Sequence, residues 1–192
     1  MVPLLDPKND YVFKRLFAGD ADLTVALIND LRPDLPQVAS VEILNPTIEA
    51  SELSGKGIVL DVLARCTDGH QYNIEMQVQR QLDWSARSLF YLARLLARQL
   101  DAGEAYQALG SAIGIHLLDF DLFTATPAQR AQAAWRFQMR DHRQPDVAVG
   151  NELQLNIVEL KKADRLDAMP TPGGDSRARQ ESDGQHPAAQ RR

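Results

Sequence analysis

A chain of 192 residues, 44% apolar and 24% charged, has room for one ordinary domain with a real core, and its composition excludes the disordered and membrane classes. The formal net charge of −5 argues against a protein that coats nucleic acid by bulk attraction, while leaving room for a local basic face. A single cysteine, Cys66, excludes an internal disulfide and, with four scattered histidines, a Cys/His zinc site; it suits a reducing cytoplasm.

No apolar run approaches the roughly 18 residues that span a bilayer, so no membrane partner is expected. The segment Met1 to Asp6 lacks the basic stretch followed by a hydrophobic one that marks a secretory signal. In chain order, Asp10 to Phe17 predicts a first helix, with Val12, Phe13, Leu16 and Phe17 at helical spacing and Gly19 as its stop. A second helix follows from about Asp22 to Leu31, ended by Arg32-Pro33. Ser40 to Ala50 is extended, with Val41, Ile43 and Ile48 inward and a break at Asn45-Pro46.

The clearest pattern comes next. Gly57 to Cys66 predicts a strand, Thr67 to His70 a turn, and Gln71 to Gln79 a returning strand. In the second strand Tyr72, Ile74, Met76 and Val78 share one face, and Asn73, Glu75, Gln77 and Gln79 the other. The first strand is apolar on both faces except at Asp61 and Arg65. A two-residue Asp68-Gly69 loop would set Asp61 opposite Met76, on the core side. A three-residue or bulged turn near Gly69 sets Asp61 beside Glu75 and Gln77 and buries Leu60, Val62 and Ala64 with Ile74, Met76 and Val78; this is the expected register.

Beyond it, Asp83 to Ala102 predicts a long amphipathic helix with a stripe of Leu89, Leu92, Ala93, Leu96 and Leu100, ended by Gly103. Ala112 to Leu118 is a short buried strand, and Ala133 to Arg140 and Leu153 to Glu159 are two more, joined by the polar stretch Asp141 to Gly150. From Pro170 to Arg192 the composition turns to Pro, Gly, Ser, Gln and Arg with almost no large apolar residue, which predicts a disordered tail. The expected organisation is one domain over residues 1–165 and a tail over 166–192.

Asp61, Glu75 and Gln77 bring chemistry to this frame. Glu75 and Gln77 point the same way from one strand, and Asp61 reaches the same place by cross-strand pairing. Two adjacent carboxylates repel unless a cation lies between them. Their hard oxygens, with a backbone carbonyl at Met76, suit Mg²⁺, which keeps several waters and completes its shell with phosphate oxygens. A metal there would polarise a phosphodiester and activate a water. Gln77 can orient that water but carries no charge and is a poor proton acceptor. The competing reading is an ordinary antiparallel strand with one solvated polar face. Asp61 weighs against it, because a carboxylate interrupting an otherwise apolar strand needs a partner.

Three segments carry a resemblance: Asn9 to Phe17, Lys56 to Val62 with Asp61, and Tyr72 to Gln77 with Glu75. Together with Arg87 to Tyr91, Gly103 to Tyr106 and Glu159 to Lys162, and over roughly residues 6 to 162 in order, they resemble the Rpn family of recombination-promoting nucleases and transposases, in the PD-(D/E)xK nuclease superfamily. The resemblance implies an α/β fold, a restriction-endonuclease-like core with a mixed β-sheet flanked by helices. It also implies Mg²⁺-dependent DNA endonuclease activity (with Mn²⁺ as a substitute) in a bacterial cytoplasm. DNA is then the partner, and self-association of copies is left open. Asp61 and Glu75 match the family's metal-binding acids, Gln77 stands where the motif has Lys, and Asp10 corresponds to an acid brought in by the first helix. The Pro/Gly/Arg-rich tail departs from the helical sequence that family members carry there, as in a truncated or altered copy. Gln77 and that tail motivate the alternative of an inactive mobile-element remnant that keeps the fold as a DNA- or protein-binding module.

Other residues have plainer expectations. His116, inside an apolar run, reads as a hydrogen-bonded core histidine, and Trp84 and Trp135 as packing residues. Nothing marks Cys66 as a nucleophile. Lys14, Arg87, Arg94 and Arg98 read first as solvated helix charges, with phosphate contact as the rival reading.

Overall fold

The computed structural model describes residues 6–44, 47–48, 58–59 and 61–166. The Asn45-Pro46 break, the burial of Leu60, the Lys56-Gly57 segment and the tail from residue 167 onward all lie outside the described residues, as does the side chain of Asp10.

Two short helices open the chain. α1 (Asp10–Phe17) is capped by the Asn9 side chain, which accepts from the backbone N–H of Tyr11 and Val12. α2 (Ala21–Leu31) is capped in the same way by Asp20, which accepts from Leu23 N–H. These helices bury Phe13, Thr24, Ile28 and Leu31, whereas Leu16 is exposed because α1 meets the sheet through a narrower stripe than the spacing suggested.

The sheet contains β1 (Val41–Leu44), β4 (Val62–Cys66), β5 (Gln71–Gln77), β6 (Ala112–Leu118), β7 (Ala134–Gln138) and β8 (Leu153–Glu159). Its spatial order is β1-β4-β5-β6-β8-β7. The central pairs β5–β6 and β6–β8 are parallel, and the outer pairs are antiparallel. The long connection needed for the parallel β5–β6 pair carries α3 (Trp84–Ala97). α1 and α2 cover one face, against Val62, Ala64, Ile74, Ile113 and Ile115. α3 covers the other through Trp84, Leu92 and Leu95 against Leu118, Leu155, Ile157, Leu63 and Ala112. β6 is buried at all seven positions, as a central strand covered on both faces must be. The result is a restriction-endonuclease-like α/β core, a mixed sheet between helices.

Several expectations need correction. The strand expected over Gly57 to Cys66 is broken. β3 (Ile58–Val59) pairs with β2 (Thr47–Ile48) in a separate two-stranded ribbon, and Asp61 sits in a bend before β4. β5 stops at Gln77, leaving Val78 half exposed. α3 ends at Ala97 rather than Ala102, and it buries Trp84, Ser88, Leu92 and Leu95 while Leu89 faces outward. The apolar stripe is therefore rotated from the one expected, because Trp84 and Ser88 anchor the N-terminal half. A single helical turn, α4 (Pro127–Arg130), follows β6, and Lys161 and Lys162 lie on another short helix, α5 (Leu160–Arg165), that follows β8 directly. The face of Asn73 and Glu75 is buried beneath α3 instead of solvated, since periodicity shows that two faces differ without showing what covers each.

Candidate functional site

The turn between β4 and β5 decides where Asp61 lies. Cys66 N–H donates to His70 O at 3.0 Å and Gly69 N–H to Cys66 O at 3.0 Å, closing a three-residue loop, Thr67-Asp68-Gly69. Gly69 has φ of 87°, the left-handed conformation that closes such loops and favours glycine. The register runs Val62↔Ile74, Leu63↔Asn73 and Ala64↔Tyr72; Asp61 directly precedes Val62, so continuing this register by one step leads to Glu75. This is the expected odd-length turn.

At that point β4 ends, and the Asp61 side chain substitutes for a strand partner. Its Oδ2 accepts from Met76 N–H at 3.0 Å. Because N–H and C=O of one strand residue face the same neighbour, the Met76 carbonyl is turned to the Asp61 side as well. The other oxygen, Oδ1, lies 3.4 Å from Lys14 Nζ on α1. Lys14 is thus tied to the acid rather than simply solvated.

Glu75 is 5% exposed, and its Oε1 accepts from Asn73 Nδ2 at 2.9 Å. Burial pushes the Glu75 carboxyl above the usual carboxylate range, and the Asn73 hydrogen bond with the charges of Arg87 and Lys14 pulls it back. Directly across on β6 is His116, fully buried, with Nδ1 3.6 Å from Glu75 Oε2 and its ring edge-on to Trp84. Burial, then the charge of Arg87, lowers its pKa to about 3, so the imidazole is neutral. Neither ring nitrogen has a hydrogen-bond partner, unlike the satisfied core histidine expected. Asn73 Oδ1 is likewise buried without one.

Gln77 closes the row. Its Oε1 accepts from Arg87 Nη2 at 3.2 Å, and Arg87 also bonds Gln81. Its backbone carbonyl accepts from Asp119 N–H at 2.9 Å, joining the ends of β5 and β6. Asp61, Glu75, Met76 and Gln77 therefore gather at the carboxyl end of β5, the end of open α/β sheets where ligands bind. The backbone of Asp10 opens α1, the helix that brings Lys14 in.

The periodicity of the sequence could not reveal His116 and Arg87 as neighbours of this cluster. Asn73 shared a face with Glu75 and was visible in that sense. His116 and Arg87 become neighbours only through the parallel pairing of β5 with β6 and the packing of α3, which no local signal encodes.

The residues suit a divalent cation. A buried carboxyl pushed up by desolvation, a second carboxylate with an ammonium at 3.4 Å, and a backbone carbonyl on the Asp61 side supply the hard oxygens such an ion takes. Among the described residues no group of three or more His, Cys, Asp or Glu side chains could hold a metal ion. Among the same residues no helix is long and apolar enough to cross a membrane.

A mixed sheet with an acidic pair at the end of a central hairpin defines a nuclease-type α/β domain. Residues 7–171 match the family of PD-(D/E)XK nuclease family transposases, and the chain belongs to that family. Nucleases of this superfamily generally use divalent metals. No curated protein and no solved structure matches the chain.

Cys66 stays out of this chemistry. Burial, and a hydrogen bond to Asp68 Oδ1 at 2.5 Å with that carboxylate's charge, push its thiol up to about 12. The thiol therefore remains protonated well above neutrality. Iodoacetamide at pH 8 is expected to alkylate it slowly in the folded protein and readily in denaturant, as followed by intact-mass spectrometry. Equal rates in both states would contradict that environment.

Proposed function

We propose that this protein is a divalent-metal-dependent DNA endonuclease of the recombination-promoting nuclease and transposase type, acting on DNA with Mg²⁺ or Mn²⁺. The observation that carries the reading is the three-residue turn that sets Asp61 across from Glu75, on an edge shared with the Met76 carbonyl and Gln77.

In this reading Asp61, Glu75 and the Met76 carbonyl hold the ion, whose chemistry when bound is to polarise the scissile phosphate and acidify a water. The protein's own groups do the rest. The Met76 N–H fixes one Asp61 oxygen, and Lys14 Nζ stands 3.4 Å from the other. Gln77, itself held by Arg87, orients the attacking water through its amide. Lys14 supplies the positive charge that the motif's lysine would bring, from α1 rather than from the strand. Asp10 enters on the same helix as a further acid of the site. The domain over residues 1–165 holds all of these groups.

Purified protein is expected to nick supercoiled plasmid with Mg²⁺ or Mn²⁺ and to stop in EDTA, as read by gel mobility. Cleavage that persists in EDTA, or a protein that never cleaves yet binds DNA, would overturn the reading. The second outcome would favour the non-catalytic alternative.

A further inference from the structure

The chain has 16 arginines but only five lysines, at positions 8, 14, 56, 161 and 162. Four of the five are described, and all four gather at one end of the sheet. Lys14 meets Asp61 beside the end of β5, Lys162 meets Glu159 at the end of β8, and Lys8 and Lys161 meet Asp119 just past the end of β6. They arrive from α1, α5 and the segment before α1, so the sequence places them together only through the fold.

Asp119 is 7% exposed, and its backbone N–H is bonded to the carbonyl of Gln77. Its two carboxylate oxygens hold different lysines: Oδ1 takes Lys8 Nζ at 3.3 Å, and Oδ2 lies 3.4 Å from Lys161 Nζ. Both lysine side chains remain open to solvent, at 39% and 55%. Each ammonium carries three donors, so each keeps donors for a second acceptor. One negative charge facing two positive ones leaves a local excess of one, in a chain whose net charge is −5.

We propose that Lys8 and Lys161, splayed on the buried Asp119, form a fork that grips one backbone phosphate of the nucleic acid beside the Gln77 end of the site. A phosphodiester carries a single negative charge and would make the group of four neutral. Lysine suits the task because its compact charge swings on a flexible stem, whereas an arginine would bind Asp119 as a planar fork and be locked there. A purely stabilising role fits less well, since half-exposed pairs of this kind contribute little to folding. The proposal rests on DNA being the substrate, so its test measures binding without cleavage.

Binding of a fluorescein-labelled DNA duplex would be followed by anisotropy in EDTA over a KCl series, using the full chain. The double variant Lys8→Gln/Lys161→Gln is expected to bind about tenfold more weakly and to reduce the slope of log K against log salt by about one, the share of one phosphate contact. Lys8→Arg/Lys161→Arg, which keeps the charge but locks it onto Asp119, should recover only part of the affinity. A control removing the same charge elsewhere, Arg140→Gln/Arg143→Gln on the exposed loop before β8, should leave the slope unchanged. An unchanged slope in the lysine variant, or an equal loss in the control, would overturn the fork and leave the nuclease reading standing. A protein that never nicks plasmid but shows these slopes would keep the fork and lose the nuclease reading. Undetectable binding by the unaltered protein would overturn the fork, and the nuclease reading would then stand or fall on plasmid nicking with Mg²⁺.

Discussion

Asp61→Asn protein is expected to fold normally and to cleave at least about a hundredfold more slowly than the unaltered protein, the scale on which removing one charge-stabilising group acts. The substitution separates the two things Asp61 does. As a hydrogen-bond acceptor it satisfies the Met76 N–H where β4 ends, and the asparagine carbonyl can still do that. As a carboxylate it offers negative charge to a cation, which an amide cannot. Losing the Lys14 ion pair costs little, because Lys14 is about a third exposed and such pairs contribute on the order of 1 kcal/mol or less. A melting temperature within a few degrees of the unaltered protein, together with lost nicking, is the expected pair of results. Full nicking by Asp61→Asn would exclude the carboxylate from the reaction. Asp61→Ala removes both functions and should lower stability as well as activity.

The largest expected effect on stability lies elsewhere, at the end of β8. Glu159 and Lys162 are both essentially unexposed, with Nζ 2.6 Å from Oε2. The remaining valences are filled. Glu159 accepts from the backbone N–H of Leu122 and Phe123 and from Trp135 Nε1, and Lys162 donates to the carbonyls of Phe123 and Gln129. This network clamps the loop from Asp119 to Gln129 onto the sheet. Lys162→Met would strand a buried carboxylate and two carbonyls, and about 3–5 kcal/mol of destabilisation is expected, measurable by urea unfolding. Adding Glu159→Gln to Lys162→Met should restore part of that loss, since the carboxylate without a counter-charge is then gone. Losses that simply add in the double variant would show that the pair is not coupled.

The comparison between sequence and structure divides along physical lines. The helix from Asp10 to Phe17 and the strands Ala112 to Leu118 and Leu153 to Glu159 were visible as local apolar patterns with clear punctuation, and they occur where expected. The Asp61–Glu75 register was also visible, because side-chain alternation with period two makes a one-residue slip costly. The interruption at Asp61 was not, since a strand and a strand broken at one bend have the same alternation. The depth of Glu75 was hidden for a related reason. A polar face reads as solvated until α3 is known to lie over it, and nothing within β5 reports on α3. Arg87, His116 and Asp119 belong to the same class: each reaches the site through contacts between segments ten or more residues apart. The lysines of Glu159-Leu-Lys-Lys162 stood out as a motif, but one is a buried clamp and its neighbour an exposed charge, a split set by the first turn of a helix.

The loop Thr67-Asp68-Gly69 has a consequence for how this family can vary. Its residues touch neither Asp61 nor Glu75, and a surface turn usually tolerates changes of length. Here the parity of its length is what counts. A two-residue loop drawn from the same residues would shift the pairing by a step, set Asp61 across from the Met76 position and turn one strand's core residues to the other face. A change of two residues would preserve the sides. The turn works as a counting device, and the acid pair reads its number as odd or even.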